Sequence, residues 1–461
     1  MLRELSDSRT LILGAGVTGA SLARALHRRG AQITVVDEHV NKLEDFTTIS
    51  PAEVDLENFD LIVTSPGWRP DHPLLSAARA AQKPLLNEID IAWWIKSEIA
   101  PAQKWLALTG TNGKTSTVEL TAAALREGGF HAIACGNVGT TVIDALESGE
   151  GYDFLVLELS SFQLHWMAEP SFVAAAILNI AQDHIDWHGS FENYTHDKVA
   201  ILNRASTAVL NGDDPVIVDA TQSWNGRKVF FTLQPPAAGE LGVVEDLLVD
   251  RAFVADPNEA SLLCELAQVT PRAPHSVANA LAAAALARAA GVSHEAIGRA
   301  IAAFSPGRHR IELIAERDGV RWIDDSKATN PHAARASLAA HPRNIWIAGG
   351  LAKGATFDEL VSRVHSQIKA AIIIGQDGHL IEKSLAQLAP QIPIFTIAAP
   401  PNFHKGADSH ALMLDVVKKA AALALSGDTV LLAPACASMD QFESYADRGD
   451  RFAAAVKEVL G

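Results

Sequence analysis

Residues 104–125 read KWLALTGTNGKTSTVELTAAAL, and this stretch decides the fold. A short apolar run from Trp105 to Leu108 meets Thr109-Gly110-Thr111-Asn112-Gly113-Lys114-Thr115-Ser116, and a segment of helical period follows. A strand, a glycine turn and a helix in that order turn backbone N–H groups toward an anion such as a polyphosphate. Lys114 adds a cation for phosphate oxygens, and the Thr115 hydroxyl suits a magnesium ion. The pattern departs from G-x-x-x-x-G-K-[ST], because Gly110 stands three residues before Gly113 instead of five.

Two further segments share the layout: TLILGAGVTGASLARAL at 10–26 and NIWIAGGLAKGATFDEL at 344–360. Short apolar runs alternating with glycine turns and helical periods imply parallel sheets with crossover helices. Three such points predict three α/β domains: Rossmann-like at 1–98, a central domain with the phosphate loop at 99–305, and Rossmann-like again at 306–461. The polar stretch KSEIAPAQ and the helix-stopping Ser305-Pro306-Gly307 mark the joints. One alanine-rich helical segment is expected over 275–303, and a peripheral strand-and-loop region over 234–260. In the first domain Gly14-x-Gly16-Val17-Thr18-Gly19 follows a strand, and Asp37 ends the next strand. That is the arrangement of a dinucleotide site, and alone it supports an oxidoreductase only weakly.

Composition limits the partners. Among 461 residues, 38 basic against 54 acidic side chains give a net charge of −16, which opposes nucleic-acid binding. Apolar residues at 48% and charged residues at 20% suit a globular chain with several cores. Cys135, Cys264 and Cys436 form no CxxC pair, so neither a disulfide framework nor a thiolate zinc site is expected. No run of about 18 uncharged apolar residues occurs and MLRELSDSRTLILGAG is no leader, so no membrane partner and a cytoplasmic location are expected.

Two segments supply acidic and imidazole groups. DFLVLELSSFQ (153–163) is a strand ending at Glu158, a carboxylate well placed beside a phosphate loop for Mg²⁺. AILNIAQDHIDWHG (176–189) ends a strand in Asp183-His184-Ile185-Asp186. His184 and His188 are four apart, which suits zinc on a helix. Gly189 and the preceding strand oppose a continuous helix, so magnesium holding a nucleotide is the expectation.

TGTNGKT resembles the ATP loop of the Mur ligase and folylpolyglutamate synthase superfamily. Asn137-Val138-Gly139, LELSSFQL and NIAQDHIDWH are similar to successive Mur ligase motifs, and LELSSFQL, DSKATN and PACAS resemble those of its D-glutamate-adding branch. The resemblance runs from Gly14 to Tyr445. It implies ATP at Gly110, Thr111, Asn112, Gly113, Lys114, Thr115, Ser116, Asn279, Arg310 and Asp325. It implies two Mg²⁺ ions at Thr115, Glu158, His184 and a carbamylated Lys198. It implies a uridine-diphosphate substrate at Gly16, Val17, Thr18, Asp37, Ser65, Gly67, Asn137, Ser160 and Gln163. Thr329, Lys353, Ser438 and Tyr445 match glutamate-binding positions, Tyr445 standing where the family has phenylalanine. Ser276 replaces a family asparagine. Lys114, Lys198, His184 and Lys327 match the catalytic groups.

The activity so implied is an ATP-dependent ligase joining D-glutamate to UDP-N-acetylmuramoyl-L-alanine through an acyl phosphate, in cytoplasmic peptidoglycan precursor synthesis. A monomer is the family's expectation. An L-glutamate-adding relative and a folylpolyglutamate-type ligase stay open. An oxidoreductase leaves the ATP loop unexplained, and a non-catalytic scaffold has no use for Lys114, Glu158, His184, Lys198 and Lys327 together.

Overall fold

The computed structural model describes residues 5–38, 43 and 45–461. Among them the strands form three sheets. In the first, β1 (Arg9–Leu13), β2 (Gln32–Val36), β3 (Thr47–Ile49), β4 (Leu61–Thr64) and β5 (Leu85–Asn87) lie in the order β3-β2-β1-β4-β5. All pairs are parallel. The order reverses between β1 and β4, so the loops after them splay apart and leave a crevice at the strand ends.

The second sheet uses β6 (Lys104–Thr109), β7 (Ala132–Gly136), β8 (Phe154–Glu158), β9 (Ala174–Ile177), β10 (Thr207–Asn211), β11 (Arg227–Phe231), β12 (Glu240–Val244), β13 (Leu247–Asp250) and β14 (Ser261–Glu265). Their order is β14-β13-β12-β11-β10-β9-β6-β8-β7. Strand β6 sits between β9 and β8, parallel to both. Trp105, Leu106, Ala107 and Leu108 are all buried, which a parallel strand covered by helices on both faces requires. Strands β13 and β14 add antiparallel at the sheet's edge; β12, β13 and the loop after them make up the expected peripheral region at 234–260, and β14 follows it.

The third sheet holds β15 (Glu312–Arg317), β16 (Val320–Asp324), β17 (Asn344–Gly349), β18 (Ile368–Ile374), β19 (Ile394–Thr396) and β20 (Thr429–Leu432). The order is β15-β16-β20-β17-β18-β19, and only β15 runs antiparallel. The three α/β sheets match the expected architecture. One expectation is corrected. The alanine-rich segment is two helices, Pro274–Ala289 and His294–Ala303. Gly291 takes φ +95° between them, and Ser293 caps the second by accepting from Ala296 N–H at 3.3 Å.

By internal packing the chain forms two compact units, Met1–Ile180 with Glu192–Phe304, and Ala181–Phe191 with Ser305–Gly461. Within the first unit, helix Glu88–Ile99 joins the first two sheets. Asn87 Nδ2 donates to Gln163 O at 2.8 Å, and Asp90 Oδ1 accepts from Ala168 and Glu169 N–H at 2.9 and 2.8 Å. Glu88 Oε1 accepts from Val142 N–H at 3.0 Å. Burial pushes the Glu88 carboxyl up to about 7, against the pull of the Val142 and Ile143 N–H groups. No helix among the described residues is long and apolar enough to cross a membrane.

Candidate functional site

The phosphate loop forms where β6 ends. Helix Lys114–Glu127 begins directly after Gly113, whose φ of +83° only glycine adopts without strain. A Cβ there would also strike the Asn279 carboxamide, which packs against the loop. Asn179, just past β9, braces the other side. Its backbone O accepts from Thr111 N–H at 2.9 Å, its Oδ1 from Asn112 N–H at 2.8 Å, and its Nδ2 donates to Asn112 O at 3.0 Å.

Two lysines meet on this loop. Lys114 Nζ donates to Gly110 O at 2.8 Å and to Thr111 O at 3.1 Å. Lys198 Nζ donates to the same Gly110 O at 2.9 Å and to Thr109 Oγ1 at 3.3 Å. Lys198 is only 2% exposed, and its Nζ lies 4.7 Å from the centre of the Tyr194 ring. Tyr194 OH is 2.9 Å from Thr111 Oγ1. Charge-assisted hydrogen bonds outweigh neutral ones, so Gly110 O holds both side chains at the loop. Thr115 is buried and Ser116 half-buried on the first helical turn.

Glu158 ends β8 and is 2% exposed. Its Oε1 accepts from Asn137 Nδ2 at 3.1 Å, while Oε2 is buried without a partner. A buried carboxylate oxygen with no donor is costly, and a hard cation relieves that cost. The donor chemistry at Glu158 therefore fits magnesium. Ser160 and Gln163 instead cap helix Ser161–Trp166, each accepting from the other's backbone N–H, at 3.3 and 2.9 Å. His184 lies in the segment Ala181–Phe191 of the second unit, at φ +53°. The helix after it spans only Ile185–His188 and stops at Gly189, so the two histidines share no continuous helix, as expected.

The first sheet's crevice is a cavity of about 700 Å³. Gly14, Gly16, Val17 and Thr18 line it beside Ser65 and Gly67. Asp37 Oδ2 accepts from Ala15 N–H at 3.0 Å, so this carboxylate steadies the glycine turn. Val17 is 74% exposed at the start of helix Val17–His27. Ser65 Oγ is buried without a partner.

In the second unit the expected residues sit where strands of the third sheet end. Asp325 is buried behind Ser337 Oγ and pushed up to about 6 by that burial. Its Oδ1 accepts from Ile311 N–H at 3.3 Å. Asp324 Oδ2 bonds His309 Nδ1 at 2.7 Å and raises the histidine above its usual range, burial opposing. Arg310 stands between His309 and Ile311, both at positive φ. Lys327 Nζ lies 3.8 Å from the centre of the Tyr445 ring. Thr329 is half-buried, Ser438 buried, and Lys353 exposed at φ +49°. Among the described residues, His309, Glu312 and Asp324 form the tight group of metal-type donors. Their mutual bonds, including His309 N–H to Glu312 Oε2 at 2.8 Å, account for that grouping without an ion.

Three family descriptions match the chain in order. They are the Mur ligase MurD-like N-terminal domain at 8–87, the Mur ligase middle domain at 108–287, and the Mur ligase glutamate ligase domain at 309–436. The chain belongs to the Mur ligase family. This Mur ligase is 47% identical over 99% of its length to the whole UDP-N-acetylmuramoylalanine--D-glutamate ligase of Thermobifida fusca. It is 46% identical to the enzyme of the same name from Streptomyces coelicolor, with both chains fully covered. In fold it is similar to the MurF ligase of Thermotoga maritima in complex with ADP, with a TM-score of 0.58, 16% identity, and 100% and 96% of the chains covered.

Several residues around these sites escaped the sequence reading. Asn179 and Tyr194 brace the phosphate loop of this Mur ligase from distant segments, and Asp324 pairs with His309 across a hairpin. Asn179 is itself the first residue of NIAQDHIDWH, just past the buried strand β9, and that motif is the local signal that points to it.

Proposed function

We propose that this Mur ligase adds D-glutamate to UDP-N-acetylmuramoyl-L-alanine with ATP. The observation that carries this is the 47% identity, along almost the whole chain, to a relative so named. Lys114 on the glycine loop supplies the matching cation.

A carboxylate resists attack by an amine because it is anionic and lacks a leaving group. Transfer of the γ-phosphoryl of ATP to the alanine carboxylate gives an acyl phosphate. The amine of D-glutamate attacks its carbonyl carbon, and inorganic phosphate departs. In this reading Lys114 swings from Gly110 O to the phosphoryl oxygens and neutralises charge as the phosphoryl passes from ATP to the alanine carboxylate, with ADP leaving. Magnesium, when bound, supplies Lewis-acid charge for the phosphates. Thr115, Glu158, His184 and a carbamylated Lys198 are the residues proposed to hold two such ions. Asn279, Arg310 and Asp325 receive the nucleotide, and Thr329, Lys353, Ser438 and Tyr445 the glutamate. Lys327 is proposed beside the reacting carboxyl. Gly16, Val17, Thr18, Asp37, Ser65, Gly67 and Asn137 take the uridine-diphosphate substrate, and Ser160 and Gln163 shape its far end. The proposed domains are 1–98, 99–305 and 306–461, in a cytoplasmic monomer.

Phosphate release with ATP, Mg²⁺ and UDP-N-acetylmuramoyl-L-alanine is the test. Release that requires D-glutamate supports the reading. Release with L-glutamate alone changes the amino acid, and release with neither overturns it.

A further inference from the structure

The cavity of the first sheet has an aromatic wall and one strong cation that the glycine motif does not supply. Strand β4 ends at Thr64, and Trp68 N–H donates to Ser65 O at 3.2 Å, closing a tight turn. That turn brings Trp68, Arg69 and His72 to the rim. The Trp68 and His72 rings meet edge to face, centres 4.6 Å apart. His72 Nε2 lies 3.5 Å from Glu38 Oε1, just past the end of β2. At its other end Trp68 leans over the glycine turn, its Nε1 3.4 Å from where a Gly14 Cβ would stand. The wall thus runs from the turn where a diphosphate binds to the acidic strand end where a ribose binds. Trp68 is packed against the core on one side and half-exposed to the cavity on the other. An indole needed only for the core would be covered on both.

Charge points the same way. Among the described residues lining this cavity, Arg69 is the sole lysine or arginine, and the lining also holds the carboxylates of Glu38 and Asp71. Its Nε and Nη2 each donate to a carboxylate oxygen of Asp71 at 3.1 Å. Both partners are at least half exposed, so the pair is weak and easily exchanged. A diphosphate entering beside it offers a stronger fork for the guanidinium.

Resting on the ligase reading above, we infer that Trp68 and Arg69 set the affinity for the nucleotide half of the substrate. Trp68 forms the stacking wall for the base, and Arg69 leaves Asp71 for the diphosphate.

The experiment is calorimetric titration of UDP into the full-length protein, for wild type, Trp68→Leu, Trp68→Phe and Arg69→Ala, at two salt concentrations. Loss of base stacking weakens UDP about tenfold in Trp68→Leu, and Trp68→Phe recovers most of it. Arg69→Ala weakens UDP by a similar factor and flattens the salt dependence. KM for ATP and for D-glutamate stays within about twofold in all three, by the separation of the sites. UDP affinities within about twofold of wild type in both Trp68→Leu and Arg69→Ala overturn the inference. Arg69 is exposed, so its variant answers even if Trp68→Leu does not fold. Wild-type protein that releases phosphate with the full substrate but binds no UDP also overturns it, and leaves the ligase reading standing. Absence of phosphate release removes the reading itself.

Discussion

Lys114 and Lys198 show how one atom organises a site. Both side chains end on the carbonyl of Gly110, which gathers them at the same turn of the loop. Under the proposed mechanism, Lys114→Ala removes the cation that serves the transferring phosphoryl. We expect kcat to fall by about 10²–10³ with little change in the KM for UDP-N-acetylmuramoyl-L-alanine, measured by phosphate release. Glu88 illustrates the opposite case, a carboxyl held where ionisation is penalised. Its folded-state value, about 7, lies above its ordinary 4.5. Its contribution to stability is therefore fully present below pH 4.5 and is lost as pH rises through about 7. Glu88→Gln, which still accepts from Val142 N–H, should remove that decline. Chemical denaturation at pH 5 and pH 8 would show a smaller difference in the variant than in wild type, by an amount on the order of 3 kcal/mol.

Helix Tyr445–Leu460 is tied to the strand ends by a buried arginine. Arg448 is 0% exposed. Its Nε donates to Ser326 Oγ at 2.9 Å, its Nη2 to Ser326 O at 2.9 Å, and both terminal nitrogens to Cys436 O at 3.2 Å. Burial lowers the guanidinium to about 10, which leaves it charged at neutral pH. Arg448→Met fills the space but orphans those oxygens, so unfolding should become easier by about 3–5 kcal/mol, read from the denaturant midpoint. The loss should appear equally with and without substrates. Such ties explain what a sequence conceals. The phosphate loop was legible because its strand, glycines and lysine are contiguous and each has a local reason. The Gly14–Gly19 turn and the strand-end acids Asp37 and Glu158 were legible on the same ground. Gly291 was passed over because an alanine-rich stretch outweighs one glycine in any periodic reading, yet its positive φ and the Ser293 cap break the helix. Asn179, Tyr194, Asp324 and Arg448 act across gaps in the chain that only the packed sheets close. Except for Asn179, which opens NIAQDHIDWH, each reads locally as an ordinary polar residue.

At the scale of the whole molecule, the two compact units should melt separately. The cavity lined by Gly14–Thr18 and Ser65–His72 lies wholly in the unit that contains residues 1–180. UDP at about 100 times its Kd should stabilise that unit by about 2.7 kcal/mol and leave the other in place. Scanning calorimetry with and without UDP would reveal one moving and one fixed transition, and equal movement of both would refute the separation. The assignment of Ala181–Phe191 to the second unit has a consequence for biosynthesis. These residues emerge from the ribosome long before their packing partners exist. At about 5–20 residues per second, residues 192–461 take on the order of 15–50 s to make. Throughout that interval the stretch bearing His184 waits without the neighbours it packs against, so this part of the fold can form only after the segments from Ser305 onward have been made.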